Sequence, residues 1–149
     1  MRVLVVDDSV FMRTVIKDIL SHDPEIEVVG TAVDGTDALA KIDSLRPDLV
    51  TLDIEMPKMT GIEVLEALAT RQDGPRVLML SSLTTRDAEM TRRAMELGAD
   101  DFLFKPRGIN EVRGIADDLL AKVRHMVSYR PVLRTTPVMQ GESEVARRL

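Results

Sequence analysis

The chain has 149 residues, 44% of them hydrophobic, and it contains no cysteine, so disulfides and thiolate metal sites are excluded. Its formal net charge of −5 and its lack of tryptophan argue against a surface that binds nucleic acid through basic patches and stacked aromatic rings. The N-terminal apolar run, about five residues long, is too short for a signal peptide or a membrane span. We therefore expect a cytoplasmic protein with one folded domain and an appendage.

Short apolar runs alternate with longer segments of helical period along most of the chain. Continuous runs of this kind are typical of parallel strands that are covered on both faces. They lie at residues 3–6, 26–29, 49–52, 77–80 and 102–104.

The segments that follow these runs have the signals of amphipathic helices. The first carries Met12, Ile16 and Leu20 on one face, and Ser9 precedes it as a candidate cap. The third opens on the sequence Thr-Gly-Ile-Glu at residues 60–63, which has the form of a capping box. The other stripes are Ala38, Leu39 and Ile42; Met90, Ala94 and Leu97, closed by Gly98; and Val112, Ala116, Leu119, Val123 and Met126.

Strands that alternate with helices predict an α/β fold built on a doubly wound, five-stranded parallel sheet. The flavodoxin-like strand order 2-1-3-4-5 is favoured, because the first strand–helix turn has no glycine-rich dinucleotide fingerprint. After Tyr129 the helical stripe stops, and prolines and a glycine interrupt a polar stretch. We predict a domain over residues 1–129 and a linker or tail over residues 130–149, which leads to an output domain absent from this chain.

The predicted strands end in residues that carry chemistry. Asp7 and Asp8 follow the first strand, Asp53 follows the third, Ser81 the fourth and Lys105 the fifth. Ligands of open α/β sheets bind at the carboxyl ends of the strands. The sequence therefore predicts that three carboxylates, a hydroxyl and an ammonium group converge on one edge.

Such a cluster needs a cation. Two carboxylates about 4 Å apart repel by about 4 kcal/mol at an effective dielectric constant near 20. Mg²⁺ (or Mn²⁺) prefers oxygen ligands and is commonly held by one or two carboxylates together with a substrate phosphate. Aspartate can act as the nucleophile in phosphoryl transfer, and Lys105 and Ser81 can bind phosphoryl oxygens.

The same residues carry a resemblance to a known family. The string Val-Asp7-Asp8-Ser, the string from Asp53 to Gly61 (Asp-Ile-Glu-Met-Pro-Lys-Met-Thr-Gly), an apolar strand that ends in Ser81, and Lys-Pro at residues 105–106 resemble the signature of response-regulator receiver domains. The match covers about residues 1 to 127. A finer resemblance, to the receiver half of chemotaxis protein-glutamate methylesterases, rests on Asp-Ile-Glu-Met-Pro at 53–57, Ser-Ser-Leu-Thr at 81–84 and the segment 94–102.

The resemblance implies a role for each of these residues. Asp53 is the phosphoacceptor, and the metal is held by Asp8, Asp53, the backbone carbonyl of Glu55 and, through water, Asp7. Ser81 and Lys105 are the catalytic partners, Ser81 and Phe102 form a switch, and the Lys105–Pro106 peptide bond is cis. Phe102 stands where the family often has tyrosine.

Plainer interpretations exist for each residue on its own. Asp7 and Asp8 could simply cap the first helix, Asp53 and Ser81 could be turn residues, and Lys105 could be a solvated loop lysine. Phe102 fits a static core equally well. The set at matching strand ends favours the functional interpretation.

The sequence thus predicts a two-component receiver that is phosphorylated by a sensor histidine kinase and controls an output domain, an attached or separate chemotaxis methylesterase. This chain would catalyse only its own phosphorylation and dephosphorylation, since the esterase half is missing. The rivals are a stand-alone receiver that acts by protein binding, the receiver half of a DNA-binding regulator, and an aspartate-nucleophile phosphatase. The last of these would place its nucleophile after the first strand, not the third. We expect this domain to bind neither nucleic acid nor membrane.

Overall fold

The computed structural model describes residues 1–82, 84–106 and 111–128, in which five strands alternate with five helices. The elements are β1 (Arg2–Val6), α1 (Val10–Ser21), β2 (Glu27–Ala32), α2 (Gly35–Leu45), β3 (Leu49–Asp53), α3 (Gly61–Leu68), β4 (Arg76–Ser81), α4 (Thr85–Glu96), β5 (Asp101–Phe104) and α5 (Val112–Ser128). No helix in this described part is long and apolar enough to cross a membrane.

All neighbouring strands pair in parallel, in the order β2-β1-β3-β4-β5. This confirms the predicted fold and strand order. β3 lies in the middle and all of its residues are buried. Its last residue, Asp53, pairs with Leu80, and Ser81 pairs with Phe104. The ends of β3, β4 and β5 are therefore level with one another.

The sheet separates two apolar cores. Leu4, Val6 and Leu52 point into the core beneath α2, α3 and α4. Val3 and Val5, their neighbours on β1, point into the core beneath α1 and α5. This alternation is the two-residue period of a strand, here with both faces covered by helices.

Local signals predicted from the sequence place the helix ends correctly. The Ser9 hydroxyl accepts from the backbone N–H of Met12 at 3.2 Å, and Thr60 and Glu63 form the predicted capping box. Gly98 follows α4 with a φ of 113°, a conformation that favours glycine. These caps fix where each helix begins or ends relative to the strand beside it.

The second strand differs from its prediction. The apolar run at 26–29 predicted a short strand, but β2 extends from Glu27 to Ala32 because Gly30, Thr31 and Ala32 pair with β1. The predicted boundary at residue 129 and the tail at 130–149 lie outside the described residues.

Candidate functional site at the carboxyl edge of the sheet

Lys105 joins two buried carboxylates that come from different strands. Asp7 follows β1 and is fully buried, and Asp53 ends β3 with 2% exposure. Lys105, which follows β5, places its Nζ 2.9 Å from Oδ1 of Asp53 and 3.2 Å from Oδ2 of Asp7. The predicted convergence of these side chains is present in the structure.

Backbone groups hold both carboxylates in place. The N–H of Ser9 donates to Asp7 Oδ1 at 2.9 Å, and the N–H of Glu55 donates to Asp53 Oδ1 at 3.2 Å. Arg13, one turn into α1, donates from Nη1 to the carbonyl oxygen of Asp7 at 2.7 Å. The two side chains are thus oriented by the loops that follow their own strands.

A glycine allows α3 to begin directly beside the acceptor strand. A Cβ atom on Gly61 would lie 2.5 Å from the carbonyl oxygen of Asp53 and 2.9 Å from Cα of Ile54. The N–H of Gly61 donates to the Ile54 carbonyl at 2.8 Å. The end of β3 and the start of α3 are therefore in backbone contact, which leaves no space for a side chain at this position.

Burial disfavours the charged forms of the ionisable groups at this site. Burial, and then the negative charge of Asp7, raise the pKa of Asp53 to about 7. Burial also raises the pKa of Asp7, although Lys105 acts against it. Burial alone would lower the pKa of Lys105, but the charges of Asp53 and Asp7 raise it. One ammonium group therefore compensates two buried carboxylates only in part.

Oδ2 of Asp53 and the hydroxyl of Ser81 are buried and have no hydrogen-bond partner among the described residues. Oδ2 of Asp7 is also buried, and its charged neighbour is Nζ of Lys105 at 3.2 Å. Asp7, Asp53 and the exposed Asp8 each offer a carboxylate oxygen, and these oxygens lie within 4.8 Å of one another. Hard oxygen donors at this spacing fit a divalent cation such as Mg²⁺, and the free hydroxyl fits a further anionic oxygen.

The predicted switch residues lie on β4 and β5, the two strands beyond β3 in the sheet. Ser81 ends β4 and is fully buried, and its carbonyl accepts the N–H of Lys105 at 2.8 Å. Phe102 packs, partly buried, against the core beneath α2, α3 and α4. Its ring meets the half-exposed ring of Phe104 edge-on, with the centroids 5.5 Å apart.

One prediction at this edge is wrong. The described residues contain no cis peptide bond, so the bond between Lys105 and Pro106 is trans and not cis as predicted. The trans form is the intrinsically favoured one even before proline, by about 0.5–1 kcal/mol.

The sequence analysis missed two charged residues of α4 that reach the site. Arg86 places its Nε 3.0 Å from Oε2 of Glu55, and Asp87 accepts from the hydroxyl of Ser82 at 2.7 Å. A hydrogen bond to Asp87 raises the pKa of Glu55. The spacing Thr84-x-x-Asp87 is that of a capping motif and was the available signal for Asp87. No local pattern marks Arg86, because its partner is distant in the chain.

Comparison with known proteins places this site in a family. The family model for the response regulator receiver domain matches residues 3–117. The chain belongs to this family. A protein-glutamate methylesterase/protein-glutamine glutaminase from Methanospirillum hungatei is 51% identical over 138 residues, which are 89% of this chain and 40% of that protein. The receiver domain therefore spans well under half the length of this relative.

Solved structures of receivers have the same fold. The response regulator domain of CheB from Thermotoga maritima is 46% identical, with a TM-score of 0.78 over 88% of this chain and 98% of that chain. CheY in a CheX–CheY–BeF₃–Mg²⁺ complex from Borrelia burgdorferi is similar at 30% identity, with a TM-score of 0.73 over 87% of this chain and 90% of that chain. The chain is thus a regulatory receiver domain homologous to CheB receivers, as the sequence predicted.

Proposed function

We propose that Asp53 is the phosphoacceptor of this receiver. The observation that carries the proposal is the environment of its carboxylate, which is 2% exposed and paired with Lys105 at 2.9 Å through Oδ1, while Oδ2 has no hydrogen-bond partner within the part of the chain that the structure describes. One oxygen is thus held by a cation of the protein, while the other is available for a new bond.

A divalent cation, Mg²⁺ or Mn²⁺, would be held by the carboxylates of Asp7, Asp8 and Asp53 with the backbone carbonyl of Glu55. When bound, this cation supplies positive charge that offsets the carboxylates and the charge on the transferring phosphoryl group. It would also favour the ionised form of Asp53, whose pKa is raised to about 7 by burial and by Asp7 in its absence.

Each protein group then has a defined task. A carboxylate oxygen of Asp53 forms the new bond to phosphorus as the bond from phosphorus to the donor breaks and its electron pair stays with the donor. Lys105 stabilises a phosphoryl oxygen as a compact positive charge, and the Ser81 hydroxyl donates a hydrogen bond to another. Water attack on the same phosphorus reverses the modification. The chain needs no other chemistry of its own.

The family and the names of the relatives support a proposal for the partners. The donor is a phosphohistidine on a sensor histidine kinase, and the output is a protein-glutamate methylesterase domain of the kind that the relatives' names describe, attached or separate. Receivers that control such an output act in chemotactic adaptation. We propose that residues 1–129 form the receiver and that residues 130–149 connect it to that output.

Titration with beryllofluoride, which imitates a phosphoryl group, tests the acceptor assignment. In the presence of Mg²⁺ we expect wild-type protein to bind beryllofluoride and Asp53→Asn to lose this binding, with amide NMR shifts as the readout. Asp43→Asn, at an exposed carboxylate paired with Arg71, removes the same charge elsewhere and should bind as wild type does. Equal binding by wild type and Asp53→Asn would refute the assignment.

A further inference from the structure

Arg86 makes a charged contact at the mouth of the site that the proposed chemistry does not use. It lies in the first turn of α4, and its Nε is 3.0 Å from Oε2 of Glu55. Glu55 follows Asp53 by two residues and gives its backbone N–H to the Asp53 carboxylate. The arginine therefore pairs with the first carboxylate that follows the acceptor along the chain.

Hydrogen bonds connect the first turn of α4 to the segment that follows β4. Asp87, with 5% exposure, accepts from the N–H of Ser82 at 2.9 Å and from its hydroxyl at 2.7 Å. Thr84 caps the helix by accepting from the N–H of Asp87 at 3.0 Å. Since Ser82 adjoins the buried Ser81, the turn that carries Arg86 is held against the segment beside the site.

The negative charge of Glu55 has opposite effects on the binding of the two ligands proposed for this site, the divalent cation and the anionic phosphodonor. A free carboxylate there attracts a divalent cation and repels an anionic phosphodonor. A paired arginine weakens both effects. The pair itself is exposed, with 74% of the Arg86 side chain and 45% of the Glu55 side chain accessible, so its influence is modest and sensitive to salt.

We propose that Arg86 is a positioning residue that holds and neutralises Glu55, and that it thereby sets the balance between cation affinity and access of the anionic phosphodonor. Arg86 touches no reacting group and acts only through Glu55. This inference rests on the proposed phosphoacceptor function, because it requires both ligands to bind beside Asp53.

Two titrations of the 149-residue chain test the proposal. The first uses Mg²⁺ alone, and the second uses beryllofluoride at saturating Mg²⁺, both followed by amide NMR shifts at low ionic strength. For Arg86→Ala we expect about two- to fivefold tighter Mg²⁺ binding and a similar weakening for beryllofluoride, as an exposed pair allows. Arg86→Lys, which keeps the charge, should lie near the wild type for both ligands.

A double variant shows whether the effect passes through Glu55. In a Glu55→Gln background, Arg86→Ala should change neither affinity. Arg92→Ala is the matched control, since it removes the same charge from α4 and, among the described residues, breaks contacts to Glu89 and Glu96 on that helix, at 3.3 and 3.2 Å. Its two affinities should stay close to those of the wild type.

The outcomes separate this inference from the function on which it rests. Opposite shifts for cation and anion that vanish with Glu55→Gln support it. Shifts of the same sign, equal shifts with Arg92→Ala, or an effect that persists without the Glu55 charge would overturn it while leaving the acceptor assignment intact. If wild-type protein bound neither Mg²⁺ nor beryllofluoride, both proposals would fall.

Discussion

To act as the proposed nucleophile, the Asp53 carboxylate would have to be ionised, yet its surroundings disfavour the ionised form. Burial and the adjacent Asp7 raise its pKa to about 7, and Lys105 reverses only part of that shift. Near neutral pH, the cation-free protein therefore holds a proton on this group in a substantial fraction of molecules. Asp7, Asp8 and Asp53 would hold a cation whose positive charge favours the ionised form of the proposed acceptor.

The raised pKa of Asp53 predicts how stability depends on pH. The folded state binds this proton more tightly than the unfolded chain does, so the contribution to stability is fully present below the ordinary pKa of 3.8 and is lost as the pH rises through about 7. In EDTA, we expect the unfolding free energy of Asp53→Asn to exceed that of the wild type by about 2–4 kcal/mol more at pH 8 than at pH 4. Urea unfolding at both pH values measures the difference.

Asp23 provides a control of opposite sign. Its hydrogen bond from Arg124 lowers its pKa, so its contribution is present above its ordinary pKa and lost in acid. Asp23→Asn should therefore weaken the protein more at pH 8 than at pH 3. If Asp53→Asn and wild type have parallel pH profiles, the Asp53 carboxyl is not the titrating group.

At this scale the sequence predicted that Asp7, Asp53, Ser81 and Lys105 share one site, because each ends or follows an apolar strand and parallel strand ends share an edge. The structure brings Asp7, Asp53 and Lys105 into contact. The sequence did not identify Arg86, whose contact joins α4 to a loop residue 31 positions earlier in the chain. It also could not show that the second oxygen of Asp53 has no hydrogen-bond partner among the described residues. Such contacts depend on the position and orientation of each helix relative to the sheet, which the hydrophobic periodicity of the sequence does not specify.

The junction of β3 and α3 is the element on which the acceptor geometry depends. We expect Gly61→Ala to lower the unfolding free energy by about 1–3 kcal/mol, because the new methyl group would meet backbone atoms of Asp53 and Ile54 that have no space to move. It should also weaken Mg²⁺ binding, which requires the end of β3 in place. Thermal or urea unfolding and a metal titration measure the two effects.

Gly114 is the matched control for this substitution. It lies in α5, and a Cβ there would meet nothing within 4 Å. Gly114→Ala should therefore stabilise the protein by about 0.5–1 kcal/mol through helix propensity and leave metal binding unchanged. A neutral Gly61→Ala would show that the junction tolerates displacement.

The elements α4 and β5 should report phosphorylation. A bond from Ser81 to a phosphoryl oxygen would draw the start of α4 toward the site and leave space for the ring of Phe102 to turn inward. Full burial of a phenyl ring contributes up to about 1.5–3 kcal/mol, enough to shift a two-state equilibrium by one to two decades. We expect beryllofluoride to change the amide shifts of α4 and of Phe102.

Ser81→Ala distinguishes this switch from local ligand effects. It should retain shift changes around Asp53 and lose most of those in α4. Changes confined to Asp53 and its adjacent loops in the wild type would mean that Phe102 is a static part of the core.

Element types were predictable and some element bounds were not. The caps at Ser9 and Thr60 are bonds to backbone groups three residues away, so the local sequence is enough to predict them. The extension of β2 to Ala32 is not local, since Gly30 has a weak strand signal and the strand continues through it because β1 provides pairing partners. Tertiary pairing overrides propensity at this edge of the sheet.

For the molecule as a whole, the folded unit should not need residues 130–149. Their prolines and polar residues provide no apolar stripe to bury. We expect removal of this segment to change the midpoint of thermal unfolding by less than about 2 °C, as measured by circular dichroism, whereas a substitution of one kcal/mol shifts a domain of this size by about 4 °C or more. A fall of many degrees would show that the segment docks on the domain.

The proposed acceptor Asp53 and the proposed switch residue Ser81 belong to opposite faces of the sheet. By strand alternation, Asp53 shares its face with Leu49, above the core of α1 and α5, whereas Ser81 shares its face with Met79, above the core of α2, α3 and α4. The proposed phosphorylation site and its proposed readout therefore adjoin different cores and meet at the strand ends. Substitutions in the core of α1 and α5 should act first on the chemistry at Asp53, and substitutions in the other core on its coupling to α4, so that the lifetime of the modification and the choice of partner could evolve independently.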